Sequence, residues 1–333
     1  MTSANAAMRL LAHYSSNART LPWRASPGGG KPDPYRVWLS EVMLQQTTVA
    51  AVTPRFERFI ERWPSLEALA AAPEDDVLSE WAGLGYYARA RNLIACARAV
   101  ADRGSFPDTS SALRQLPGLG EYTAAAVAAI AFGEPCPVVD TNVNRVIARL
   151  HGLRKPLPDQ IRSLVQAMIP AQAPGDFAQA MMDLGATICR PKQPSCQICP
   201  LRPDCAAAAS GDAEQFPAPK VKAIRPHRYG TAEWIERGGE VLLVRRPSSG
   251  LLGGMAALPG NAWKDDRPSA SAIARITHVF THFSLELAIV AGSERGKNGW
   301  WQPIASLDKA GLPTLYRKAV DAVLAVRTTR DAA

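Results

Sequence analysis

Four of the six cysteines stand at Cys189, Cys196, Cys199 and Cys205, a C-x6-C-x2-C-x5-C pattern in a short, proline-bearing stretch with little helical character. No other feature constrains the local fold as strongly. No secretory signal is visible, so a reducing cytoplasm is expected, and there such a set favours metal over disulfides because thiolates offer a soft metal four sulfur ligands. A four-cysteine zinc site meets the same need. The pattern by itself therefore leaves zinc and an iron-sulfur cluster open. Cys96, inside an apolar helix, and Cys136 read as buried and inert. Arg190, Lys192 and Arg202 beside the loop suit phosphates or a solvated basic face about equally.

With 333 residues the chain predicts about two domains. Its net charge of +8 favours a polyanionic partner. The split is even, with 24 basic against 20 acidic residues before residue 226 and 14 against 10 after it. No apolar run approaches the roughly 20 residues of a spanning helix, so no membrane partner is expected. The acid-free N-terminus superficially resembles a transit peptide, but Met8, Leu10, Leu11 and Tyr14 have helical spacing and lead into Leu21-Pro22-Trp23-Arg24, which reads as part of the folded domain.

From about residue 35 to 205 the pattern is all-α, with helices expected at 35–49, 54–62, 74–80, 87–102, 110–115, 122–131, 142–150, 161–168 and 177–188. Residues 206 to 227, with Phe216-Pro217-Ala218-Pro219-Lys220, read as an extended linker. Beyond it strands are expected at 229–235, 240–245, 277–281 and 284–290 and a helix at 316–326, an α+β domain over 228–326.

Leu116-Pro117-Gly118-Leu119-Gly120 lies between two helical stretches, and Gly118 and Gly120 permit a tight turn whose amides point outward as in a phosphate cradle. An ordinary helix-to-helix turn is the bland alternative. Twenty residues later Asp140 opens the helix of Thr141-Asn142-Val143-Asn144-Arg145, where an N-cap is the commonest role for an Asp.

A helix-hairpin-helix followed at this distance by an apolar run and Asp resembles the endonuclease III superfamily of DNA glycosylases. The cysteine spacing resembles that superfamily's [4Fe-4S] loop, which implies iron over zinc. Within it, Trp38-Leu39-Ser40-Glu41-Val42-Met43-Leu44-Gln45-Gln46-Thr47, with Leu21-Pro22-Trp23-Arg24 before and Gly83-Leu84-Gly85-Tyr86-Tyr87 after, resembles the MutY-type adenine glycosylases. The resemblance covers nearly the whole chain. It implies an all-α helix-hairpin-helix glycosylase domain over 1–205, carrying the cluster loop at 189–205, and then an α+β Nudix-like (MutT-like) domain.

Position by position, the resemblance implies that Glu41 protonates adenine and Asp140 stabilises or bonds to the positive sugar, the division of labour of a retaining glycosidase. Asn142 and Tyr122 would orient these carboxylates. Trp23, Arg24, Leu44 and Asp183 would form the pocket for the flipped base. Gln46 and Tyr86 would enter the duplex near the opposing 8-oxoguanine, with Thr47 and Leu84 beside them. Lyase-active relatives carry a lysine where this chain has Tyr122, and a phenol forms no imine, so base removal without strand cleavage is expected. One residue departs from the MutY pattern: Thr141 stands where the family usually has Gly, an Asp-Thr pair closer to endonuclease III.

The C-terminal resemblance rests on Arg245-Arg246-Pro247-Ser248-Ser249-Gly250-Leu251-Leu252-Gly253-Gly254-Met255 and His278-Val279-Phe280-Thr281-His282-Phe283. The glutamate-rich helix of a Nudix hydrolase is missing between Gly253 and Thr277, which implies recognition without hydrolysis. Phe280, Thr281 and His282 match a loop that probes 8-oxoguanine in the family. The partner implied is double-stranded DNA with an A·8-oxoguanine or A·G mismatch, bound by a monomer associated with the nucleoid. Two other readings are a thymine glycosylase acting on T·G and a non-catalytic iron-sulfur DNA-binding protein. The first generally lacks a MutT-like domain, and the second needs neither Glu41 nor Asp140.

Overall fold

The computed structural model describes residues 3–219, 225–247, 250–267 and 271–331. The chain forms two compact units, one of residues 1–71 with 92–221 and one of residues 72–91 with 222–333. The division falls inside the helix Tyr87–Arg103 and places residues 72–91 with the C-terminal part.

The first unit is helical. Its central helix, Pro34–Leu44, starts where Asp33 accepts the Tyr35 amide at 2.9 Å and Pro34, with no amide to satisfy, takes the first turn. Tyr35 and every residue from Val37 to Met43 are buried, so the helix is enclosed on all sides and carries Glu41 inside with it. The expected continuation to residue 49 does not occur. Gln46 adopts φ 56°, in the left-handed region, and the Thr48 hydroxyl caps a new helix, Val49–Arg62, by accepting the Ala51 amide. That helix starts five residues before its expected beginning and contains Pro54, which forgoes one backbone bond.

Beyond the hairpin, Glu121–Val127 runs on as a π-helical turn, Ala128–Phe132, stopped by Gly133 at φ 79°. Thr141–Leu150 is capped by Asp140, and Pro174–Thr187 packs beside it. Their approach depends on Gly185, where a Cβ would lie 2.6 Å from that of Asn142. The stretch after the cysteines is not a free connector as far as it is described. It holds short helical turns at Ala206–Ala209 and Ala213–Gln215, and Ala218 donates its amide to the Arg154 carbonyl at 2.8 Å.

The second unit holds two sheets. In one, His227–Trp234 runs parallel to Ser284–Ala291, which pairs antiparallel with Ala274–Val279. In the other, Glu240–Arg245 pairs antiparallel with Glu236–Arg237, Ala256–Ala257 and Trp300–Pro303. Gly238 and Gly239, both at positive φ, make the two-residue turn of the first hairpin. Leu285, Leu287 and Ile289 alternate inward and meet Val241, Leu243 and the Leu315, Ala319, Val323 face of the helix Thr314–Asp331 in one core. The strand expected over 277–281 ends at Val279, because Phe280 donates to the Phe283 carbonyl at 2.9 Å and leaves Thr281 and His282 as the tip of a tight hairpin. No helix among the described residues is long and apolar enough to cross a membrane.

Candidate active site

A cavity of about 750 Å³ in the helical unit brings together Glu41, Tyr122, Asp140 and Asn142 with Trp23, Arg24 and Leu44. Glu41 is 5% exposed and its Oε2 accepts the Tyr122 hydroxyl at 2.8 Å. Burial pushes its carboxyl up to about 7, outweighing the Tyr122 hydrogen bond and the Arg24 charge, while Asp140 adds to the rise. Glu41 thus holds a proton near neutral pH. Tyr122 is driven well above the ordinary phenol value by burial first and then by the two carboxylates, so it is a hydrogen-bond donor and not a phenolate.

Asp140 is set differently. Its Oδ1 accepts the Val143 amide at 2.6 Å and its Oδ2 accepts from Asn142 Nδ2 at 2.9 Å, so the cap also presents a carboxylate to the cavity. Asn142 is held in turn by buried Arg145, which donates through Nη2 to Asn142 Oδ1 at 2.8 Å and through Nε to the Cys189 carbonyl at 2.9 Å. The chain of hydrogen bonds therefore runs from the cavity to the cysteine loop.

Trp23 is buried edge-on against Phe56, with ring centroids 5.2 Å apart. Asp183 does not line the cavity. It lies behind Arg24 and Arg19, accepting from them at 2.7 and 2.6 Å, and acts as their anchor. Burial works to raise the Asp183 carboxyl, but the bonds and charges of the two arginines hold it below the usual carboxylate range. Gln46, Thr47, Gly118 and Gly120 lie on the cavity's border, with Gln46 exposed. Gly118 has φ 74°, and a Cβ there would meet Asn92 at 2.5 Å. Gly120 opens the following helix with no side-chain cap.

Cys189, Cys196, Cys199 and Cys205 line one small cavity around the loop. Arg149 organises its rim, donating to the carbonyls of Arg190, Pro191, Ala213 and Phe216 at 2.6 to 3.0 Å and to Cys189 Sγ at 3.4 Å. Among the described residues no three or more His, Cys, Asp or Glu side chains are gathered as a single-ion site. The four thiols lining one cavity nevertheless fit a group that binds sulfur. Burial pushes Cys199 up to about 11, so ligation has to drive its deprotonation. Sequence reasoning assigned Arg145 and Arg149 no role. Their only signal is an i, i+4 pair on an apolar helix, where arginines ordinarily face water.

The profile of the HhH-GPD superfamily base excision DNA repair proteins matches residues 39–171, and that of the NUDIX domain matches residues 231–322. An adenine DNA glycosylase of Mycolicibacterium smegmatis is 40% identical over 247 residues, covering 73% of this chain and 80% of that protein. The chain belongs to the adenine DNA glycosylase family. The adenine DNA glycosylase of Arabidopsis thaliana is 34% identical over 305 residues, covering 79% of the chain, which spans 48% of that longer relative. A thermostable thymine-DNA glycosylase is similar in structure, with TM-score 0.56 and 29% identity over 61% of this chain and 95% of that one.

The remaining candidate residues lie in the second unit. Leu84 is buried. Tyr86, 46% exposed and at φ 49°, has its hydroxyl 2.6 Å from Thr281 Oγ1. Phe280 stacks on Trp263 at 5.5 Å and packs at a tilt against Phe283 at 4.9 Å, which roots the hairpin in the core, while Thr281 and His282 are exposed.

Proposed function

We propose that the protein excises adenine mispaired with 8-oxoguanine, or with guanine, from double-stranded DNA in base-excision repair. The observation that carries this is the pair of carboxylates on one cavity, Glu41 neutralised by burial and Asp140 accepting two N–H donors. Adenine is a poor leaving group unless protonated, and Glu41 at about 7 can deliver that proton near neutral pH. Asp140 stabilises the cationic sugar left behind, and Asn142 fixes its orientation. Tyr122 aligns Glu41 and, lacking an amine, forms no imine with the sugar, so the strand stays intact.

Trp23, Arg24 and Leu44 receive the flipped base, with Asp183 anchoring Arg24. Gln46 with Thr47, and Tyr86 with Leu84, act at the mismatch, and Gly118 and Gly120 meet the backbone. Cys189, Cys196, Cys199 and Cys205 hold a [4Fe-4S] cluster, which when bound ties the loop into a fixed shape. The domains in this reading are the glycosylase over 1–205, the linker over 206–227 and the lesion-recognition domain over 228–326. The enzyme acts as a monomer on DNA in the bacterial cytoplasm.

The thymine reading draws on the structural neighbour named above. The NUDIX match and the adenine-glycosylase relatives weigh against it. Glu41→Gln and Asp140→Asn test the assignment, since each keeps side-chain shape. Each is expected to abolish excision while mismatch binding stays largely intact. Activity within a few-fold of wild type in either variant would remove that residue from the chemistry.

A further inference from the structure

In the second unit a column of side chains runs from the last helix to the exposed hairpin tip. Tyr316, buried on the helix Thr314–Asp331, accepts a hydrogen bond from Arg246 Nη1 at 2.9 Å. The Arg246 guanidinium lies 5.1 Å from the centre of the Trp263 ring, within cation–π range. Trp263 in turn stacks on Phe280 at 5.5 Å, with the ring planes 26° apart, and His278 meets Phe280 edge-on at 4.6 Å.

The members of this column are held from behind. The stretch carrying Trp263 is laced to the strand His227–Trp234: Glu233 donates its amide to the Pro259 carbonyl at 2.6 Å, and Tyr229 and Lys264 exchange amide bonds at 2.7 and 2.8 Å. Gly230 leaves room for the indole, since a Cβ there would lie 2.4 Å from Trp263 Cδ1. Arg246 donates its own amide to the Met255 carbonyl at 2.9 Å and accepts the Gly254 amide at 3.2 Å.

Stability alone does not account for the arginine. Its Nε is buried and, among the described residues, has no hydrogen-bond partner, a deficit that an apolar side chain of similar length would not carry. His278 Nδ1 is in the same state. Two under-satisfied polar side chains thus flank the Trp263–Phe280 stack, and Phe280 is the residue next to the exposed Thr281 and His282.

We propose that Arg246 and Trp263 are positioning residues for recognition of the base opposite adenine, acting through Phe280 to hold Thr281 and His282 in a fixed place. The role rests on the function proposed above, with the hairpin tip as the probe of its lesion-recognition domain. A hydrogen bond to the lesion weakens steeply as its distance and angle drift, so a tip loosened by about 1 Å would treat 8-oxoguanine and guanine more alike.

The test is the full-length variant Arg246→Met/Tyr316→Phe, which removes the cation and its unpaired donor together with the hydroxyl that would otherwise be stranded, so its Tm should stay near that of the wild type. Preference for A·8-oxoguanine over A·G, read as the ratio of affinities and of single-turnover rates, should fall at least about fivefold, the low end for one lost hydrogen bond. Single-turnover excision from A·G should not change. In a Thr281→Val background the same pair should move the ratio by less than about twofold, because groups acting through one contact are not additive. Trp263→Leu should lose the preference and Trp263→Phe, which keeps a ring, should retain most of it; these two decide the matter if the first variant fails to fold. A structural role alone would lower Tm and excision from both mismatches together. That pattern, an unchanged ratio, or a full further loss in the Thr281→Val background overturns the positioning role and leaves the excision reading standing. A ratio unmoved by Thr281→Val itself overturns the tip as probe and the column with it. A wild-type protein that shows no preference for 8-oxoguanine overturns the function on which the role rests.

Discussion

Glu41→Gln should separate activity from stability in opposite directions. Glu41 is raised from 4.5 to about 7 because folding takes its carboxyl out of water. The folded state therefore binds the proton more tightly than the unfolded chain. Below about pH 4.5 both states hold it and no penalty exists; as pH rises through about 7 the folded protein is left with a buried charge. That displacement corresponds to about 3 kcal/mol lost by pH 8, at close to 1.4 kcal/mol per pH unit. Glutamine keeps the oxygen that accepts from Tyr122 and carries no charge, so the variant escapes the loss. Thermal denaturation of both proteins from pH 5 to 8.5 should show a gap that widens with pH and levels off near 8. In a body of this size about 3 kcal/mol corresponds to roughly 6–12 °C in Tm. Excision by the wild type should fall about tenfold per pH unit above about 7, as the acid is lost. A stability difference that does not vary with pH would refute the reasoning, because Glu41 would then not be ionising inside the fold.

Tyr122→Phe removes a hydrogen bond that lowers the Glu41 carboxyl, so the alkaline limb of the excision profile should move to higher pH; a limb that moves down would show that Tyr122 acts otherwise. The purified protein should be brown, and Cys199→Ser should lose iron and weaken DNA binding, whereas a colourless wild type with one zinc per chain would identify the wrong metal. Thr281→Val with His282→Ala should lower the preference for A·8-oxoguanine over A·G by roughly 1 to 3 kcal/mol, since the hydroxyl can accept the lesion's N7 hydrogen, and unchanged binding and single-turnover rates on both mismatches would exclude the hairpin tip as sensor.

The residues proposed to carry the chemistry were legible in the sequence because their neighbours are. Glu41 sits in a run of apolar residues that reads as a buried helix, and Asp140 stands where a helix needs a cap, so burial and capping follow from the local pattern. The break after Leu44 was not legible. Gln-Gln-Thr-Thr carries no glycine or proline, and the stop depends on Gln46 taking a positive φ and on Thr48 acting as cap. Arg145 and Arg149 were missed for a different reason. Their partners are carbonyls, a side-chain amide and the Cys189 sulfur, 3 to 67 positions away, which no periodicity encodes. The stretch after Cys205 read as extended because of its prolines, yet Arg149 and Arg154 tie it to the helical unit through backbone groups that sequence does not display. Asp183 was placed on the pocket wall and lies one layer behind it, since two arginines reach past it to the cavity.

The most direct measurement of the central claim is base release by the purified protein from duplexes holding A·8-oxoguanine, A·G or T·G, with the strand examined before and after alkali. Free adenine should appear from the first two, fastest opposite 8-oxoguanine, with the strand intact until alkali cleaves the abasic site. Release of thymine from T·G in preference to adenine, or of no base from any of the three, would contradict the account.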